Sequence, residues 1–196
     1  MASKGVNNVM YSTAKSTRVI GLAVTTALAG TLLAGCTTNA APNATASASR
    51  AEAALADGKA QQAVRHAEAA VLAEPHNVAY RTMLGSAYLD AGRFASAEAA
   101  FSDAMQLGES SARTVLSLSL ALSAQGKYRE AATLLNAHES GIATADLGLA
   151  LALSGQPDRG IHVMSNAIRG GENTAKMRQN LAYSYALAGR WRPETR

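Results

Sequence analysis

Cysteine is almost missing from this chain of 196 residues: Cys36 stands alone, so it has no partner for an internal disulfide or a paired redox site. Aromatic residues are scarce too, at 5%, and leave little surface for stacking nucleobases. Acidic residues do not occur at all before Cys36, whereas Lys4, Lys15 and Arg18 do. The formal charge of +4 therefore belongs mostly to the leading segment, and fifteen basic side chains face fourteen acidic ones after Cys36. That portion has no basic cluster, which excludes nucleic acid as the expected partner. The leading apolar run is short. Val19 to Leu33 spans fifteen uncharged residues, a helix of about 22 Å against a hydrocarbon core of about 30 Å.

Constellations for catalysis are absent as well. His66, His76, His138 and His162 never pair at a spacing of three or four, and no acidic cluster joins them, so no metal site is expected. Neither a G-x-S-x-G elbow nor a phosphate-cradling Gly-Lys-Ser/Thr loop occurs. Ser117, Ser119 and Ser123 read as small packing residues on a helix, and Glu130 and Glu139 as solvated. The expectation is a protein that is not an enzyme, with no cofactor and no small-molecule substrate.

What is present begins with a basic start, an apolar stretch and small residues ending in Leu33-Ala34-Gly35-Cys36. This order is that of a secretory signal, with Met1 or Met10 as the start. The last four residues resemble a bacterial lipobox. The resemblance implies cleavage before Cys36 and lipidation of its thiol and new amine. Two or more acyl chains hold a protein firmly where one does not. Thr37 follows Cys36 and, by the same resemblance, favours the outer membrane, on its periplasmic side, over the inner one. The domain reading is a signal at 1–35, the lipidated Cys36 with a flexible tether to 49, and a helical domain over 50–196. The tether, Thr37 to Ser49, has no charge and no large apolar residue, and so cannot bury a core. Asn43-Ala44-Thr45 within it is a chance glycosylation pattern.

The rest of the chain repeats itself. Gly58, Gly92, Gly126, Gly155 and Gly189 recur in similar surroundings at separations of 34, 34, 29 and 34. Leu84-Gly85 with Tyr88 precedes one of these glycines, and Ala97, Phe101 and Ala104 follow it on one helical face. Later copies keep Leu118, Leu122, Ala131 and Leu135, then Leu147-Gly148, Leu151 and Met164, then Leu181, Tyr185 and Trp191. A period of 34 with this content is similar to the tetratricopeptide repeat, a helix-turn-helix unit. The fold class is thus all-α: a solenoid of about 4.5 helix hairpins, in units near 44–77, 78–111, 112–140, 141–174 and an incomplete 175–196. The first unit looks degenerate in its first helix. The third is five residues short, a loss placed at His138 to Gly141, where it shortens the second helix or its exit loop. The last first helix lacks a following helix in the sequence, which suggests a truncated or divergent form of a longer chain.

The resemblance implies that the first helices line a concave groove that holds other polypeptides. The lining positions are Ala79, Thr82, Ser86, Leu89 and Asp90 in the second unit, and Arg113, Leu116, Leu120 and Ser123 in the third. Ile142 and Leu149 follow in the fourth, and Lys176, Gln179 and Tyr183 in the last. Ala145, Ala152, Leu153 and Leu187 belong to the same series. The Lys/Asn cluster that clamps C-terminal carboxylates is missing, so the face suits a helix or an extended apolar segment. Lipobox, tether and repeats together resemble the TadD-type lipoproteins of tight-adherence (Flp) pilus assembly. That likeness implies a membrane-anchored scaffold for envelope proteins. Two other roles fit the same architecture: a lipoprotein of peptidoglycan maintenance or division that has lost a SPOR-type module, and a regulatory subunit of an envelope enzyme.

Overall fold

The computed structural model of the chain describes residues 43–190, and all the regular structure there is helical. The helices pair as hairpins. α1 (Ala44–Ala56) meets α2 (Ala60–Ala73), α3 (Val78–Asp90) meets α4 (Phe94–Gln106), and α5 (Ala112–Ala124) meets α6 (Tyr128–Ala137). After a 3₁₀ turn, Glu139–Gly141, α7 (Thr144–Leu153) meets α8 (Pro157–Arg169), and α9 (Ala175–Leu187) closes the described chain. Contacts run between neighbours in sequence and, besides, between successive first helices: α1 with α3, α3 with α5, α5 with α7, α7 with α9. Successive second helices have no comparable contact, so the stack curves with the first helices on its inner side. The all-α hairpin solenoid expected from the 34-residue period is the fold observed.

The five recurring glycines make the hairpins possible. Each has a φ between 68° and 76°, a backbone region where a Cβ is strained. At Gly92 the turn closes by Arg93 N–H donating to the Tyr88 carbonyl at 2.8 Å, the six-to-one bond that ends a helix. Four of the five first helices start on side-chain caps, the first three 34 residues apart, while α7 follows Ala143 and has none. Asn43, Asn77, Ser111 and Thr174 each accept from the amide three residues on.

Two readings of the sequence are corrected here. Ala44 to Ser49, assigned to the tether, form the first turns of α1. Asn43 caps that helix, and Ala44, Ser47 and Ala48 are buried. Small uncharged residues suit a closely approached helix face as well as a linker, and the cap decides between them. The second helix of the third unit is shortened as expected, but the missing five residues are not confined to the stretch around His138–Gly141. α6 is ten residues long, with its last turn gone, and α7, also ten, lacks its first turn relative to α3.

In the second and fourth units, a glycine on the first helix faces a larger residue on the second. A Cβ on Gly85 would sit 2.7 Å from the Phe101 ring. Gly148 lies against Met164, and Gly160 lies against the backbone carbonyl of Gly148. Four buried clusters result, running along the stack from Ala51, Val64 and Leu84 to Ala145, Met164 and Met177.

The outer edge carries ion pairs between units. Arg93 reaches Glu68 at 3.9 Å and Lys127 reaches Glu98 at 2.7 Å, each from the turn before a second helix to the preceding second helix, and Arg190, in the turn after α9, reaches Asp158 on α8 at 2.9 Å. The equivalent Gln156 is neutral, and Arg159 supplies the charge there, to Glu139 at 2.8 Å. The Lys127 ammonium, helped by the Gln125 amide, holds the Glu98 carboxyl below its usual range. A lowered folded pKa means stability that is complete above the ordinary glutamate value of about 4.3 and lost as the pH falls through the folded value. Glu98→Gln should therefore lower the unfolding free energy at pH 7, by no more than about 1 kcal/mol for a partly exposed pair. The gap between variant and parent should close towards pH 3. A gap that widens on acidification would contradict this assignment.

Candidate groove on the inner face

The inner face is built from one side of five helices. Because the units align, residues nine places into each unit fall in a row: Glu52, Ser86, Leu120, Leu149 and Tyr183. Leu120 and Tyr183 are open to solvent, at 43% and 61% exposure, and Leu149 is half-buried. Leu153 and Leu187 continue the apolar surface at the C-terminal ends of α7 and α9, both exposed. Between α5 and α7 the face sinks into a pocket of about 160 Å³. Its walls are Leu116, Ser119, Leu120, Ser123, Asp146, Leu149, Ala150 and Leu153.

The polar atoms of the pocket are already used. Ser119 Oγ donates to the Leu116 carbonyl at 2.8 Å, and Ser123 lies 2.8 Å from the Ser119 carbonyl and 3.0 Å from Ser154 Oγ. Asp146 is bound to Lys176 across the unit boundary at 2.6 Å. What remains for an occupant is aliphatic surface, and burying it is favourable at about 25 cal/mol per Å².

Most of the residues expected in the groove lie along this face. Thr82, Ser86 and Leu89 are half-buried on α3, Asp90 is exposed at its end, and Arg113 is exposed at the start of α5. Leu116, Leu120 and Leu149 meet in the pocket. Lys176, Gln179 and Tyr183 are exposed on α9, although Lys176 is tied to Asp146 and is not a free cation. Ile142 is the correction. It precedes α7 in extended backbone, φ −107°, ψ 134°, and is buried with Val115, Leu135, Leu147 and Leu151. The lost first turn of α7 leaves no helical position for it on the inner face. Ala145 and Ala152 are likewise buried between helices. Asp146 is a lining residue that the register did not assign, and Ser119 had been read only as packing. Cys36 and the signal, with Trp191, lie outside the described residues.

Nothing in this face resembles a reaction centre. Among the described residues no group of three or more His, Cys, Asp and Glu could hold a metal ion. The groove residues offer one continuous apolar strip and no nucleophile set against a base.

Comparison with known proteins agrees with the architecture. Residues 54–106 match the tetratricopeptide repeat. No curated protein matches the sequence. Among solved structures, a MamA protein is 21% identical, with 75% of this chain and 83% of that one covered at a TM-score of 0.60. MamA 41-end from Desulfovibrio magneticus RS-1 is 18% identical, with 75% and 86% covered at 0.61. YrrB, described as a TPR protein with an unusual peptide-binding site, is 16% identical, with 76% and 79% covered at 0.57. At these identities the likeness is one of fold.

Proposed function

We propose that this chain is a scaffold that docks other polypeptides on its inner face, held at the cell envelope by lipid on Cys36. One observation carries the docking reading: exposed leucine and tyrosine side chains run across α5, α7 and α9 around a pocket whose polar atoms are internally satisfied. A surface of that kind favours a partner that brings apolar side chains, as a helix or an extended strand does. YrrB offers a precedent for peptide binding on such a frame. Support for the anchor is the run from Lys15 through Val19–Leu33 to Leu33-Ala34-Gly35-Cys36. The finer role is assembly of a pilus or secretion complex at the outer membrane, as the likeness to TadD-type lipoproteins implies.

The test is a pull-down from solubilised membranes with the anchored protein, repeated with Leu120→Arg and Leu149→Arg. Either arginine places an unpaired charge in the strip and should abolish capture of groove partners, a loss of at least about tenfold. Helical circular dichroism should stay at the parent level, because both positions are solvent-accessible. An unchanged set of partners would reject the groove. Separately, Cys36→Ser should release the protein from membranes. Retention of the serine variant would reject the lipid anchor without touching the groove.

A further inference from the structure

The two halves of the inner face differ in chemistry, and the difference narrows the class of partner. Along α5, α7 and α9 the strip is aliphatic, and the Asp146–Lys176 pair neutralises itself at 2.6 Å. Of the other charges on these helices, Arg113 stands exposed at the start of α5, and Arg178 on α9 is turned back to Asn173. Along α1 and α3 the equivalent positions include Glu52 and Asp90, both exposed, and neither makes an ion pair among the described residues. Between them lie Thr82 and Ser86. Thr82 Oγ donates to the Val78 carbonyl at 3.0 Å, and Ser86 Oγ donates to the Thr82 carbonyl at 3.1 Å. Their protons are spent inside the helix, so these hydroxyls present lone pairs to the groove. Carboxylates can only accept. These four groups therefore form a surface of acceptors beside a surface of hydrocarbon.

We infer that the groove selects a segment in which a lysine or arginine stands beside an apolar block. The inference rests on the docking reading above and adds a charge rule to it. The apolar block fills the pocket between α5 and α7, and the cation faces Glu52, Ser86 and Asp90. An acidic group in that place would meet only acceptors and lose its water without replacement. Neighbouring packed helices stand about 8–10 Å apart. The acceptor patch on α1 and α3 lies about two such steps from the pocket between α5 and α7, roughly 16–20 Å. The cation thus belongs about five or six residues from the first apolar anchor in an extended ligand, or about twelve in a helical one. The charge term acts at an exposed surface, so it should set preference and salt dependence more than total affinity.

Three labelled synthetic peptides test this by fluorescence anisotropy against the full chain in mild detergent. All carry the same leucine-rich amphipathic block, flanked by Lys-Arg, by Ser-Ser or by Glu-Glu. The Lys-Arg peptide should bind about tenfold more tightly than the Glu-Glu peptide at low salt, and the gap should shrink at about 0.5 M salt. Charge reversal at Glu52→Lys with Asp90→Lys should remove or invert the order, while the uncharged change Leu120→Ser should weaken all three alike. If the three peptides bind equally, or the acidic one binds best, while Leu120→Ser still weakens them, the cation rule is overturned and the groove stands. If none binds, or Leu120→Ser changes nothing, the groove itself falls and the rule with it.

Discussion

Gly160→Ala is expected to destabilise the fourth hairpin by about 3 kcal/mol, although glycine to alanine inside a helix usually stabilises. The two effects oppose each other, and their sizes decide the sign. Helix propensity favours alanine by about 1 kcal/mol. Against that, a Cβ on Gly160 would overlap the carbonyl oxygen of Gly148, and it would also stand 3.3 Å from the backbone nitrogen of Ala152. Backbone atoms cannot rotate aside, so α8 as a whole must move away from α7. That separation loosens Met164 and Met177, both fully buried, and with them the contact to α9. The equivalent positions in the other units are alanines, Ala63, Ala97 and Ala131, all at 0% exposure, so the site is special to this hairpin. Gly148→Ala provides the comparison. Its Cβ would meet the side chain of Met164 instead, and an unbranched thioether can shift. Urea or thermal unfolding should rank Gly160→Ala well below Gly148→Ala, with the parent above both. Equal stability for Gly160→Ala and the parent would show that α8 is free to shift. In a stack where each unit leans on its neighbours, the loss should reach the groove too, because α7 forms one wall of its pocket.

How far the fold could be read from the residues depends on which signal each element leaves. Turn glycines are legible because a positive φ admits little else, and Gly58, Gly92, Gly126, Gly155 and Gly189 all take that conformation. The start of α1 left a fainter mark. Ala44 to Ser49 has the composition of a spacer, which sets the domain start at 50, whereas counting the 34-residue period back puts the first unit at Ala44, where Asn43 caps the helix as Asn77 does 34 residues on. Gly160 was invisible for a related reason: its neighbour is a carbonyl oxygen, and backbone atoms carry no sequence. The groove was legible where the repeat is regular, as at Leu116, Leu120 and Leu149. At Ile142 counting positions from the repeat failed, because a deletion shared between the end of α6 and the start of α7 removes the helical turn on which the count relies. Asp146 and Ser119 face the pocket for the same local reason, since their places follow from helix packing and not from a residue type.

Phe101→Ala should cost about 3–5 kcal/mol, and the reason bears on how the whole stack tolerates variation. Phe101 is 1% exposed and packs with Ala97, Leu118, Ala121, Leu122 and Ala131, so it joins the second unit to the third. Its ring lies over Gly85, and the units show the same exchange of volume at these two places. Gly85 faces Phe101 and Gly148 faces Met164, whereas the first unit carries Ala51 and Ala67, each at 0% exposure. A large second-helix residue goes with a glycine in the second and fourth units, a small one goes with an alanine in the first, and the third holds Ser119 and Leu135 at the two places. Gly85→Ala alone should destabilise by about 1–3 kcal/mol, since its Cβ would be 2.7 Å from a ring that is itself enclosed. The double variant Gly85→Ala with Phe101→Ala recreates the pair found in the first unit. It should be more stable than the sum of the single losses by about 1–3 kcal/mol, a coupling that a double-mutant cycle measures directly. Strict additivity would mean that the two residues do not share one volume. A double variant close to Phe101→Ala alone, with the alanine at 85 now harmless, would show that each hairpin sets its own helix separation by dividing a fixed space between two side chains. That local rule lets units as different as the first and the fourth stack in one solenoid and keep their first helices aligned along a single face.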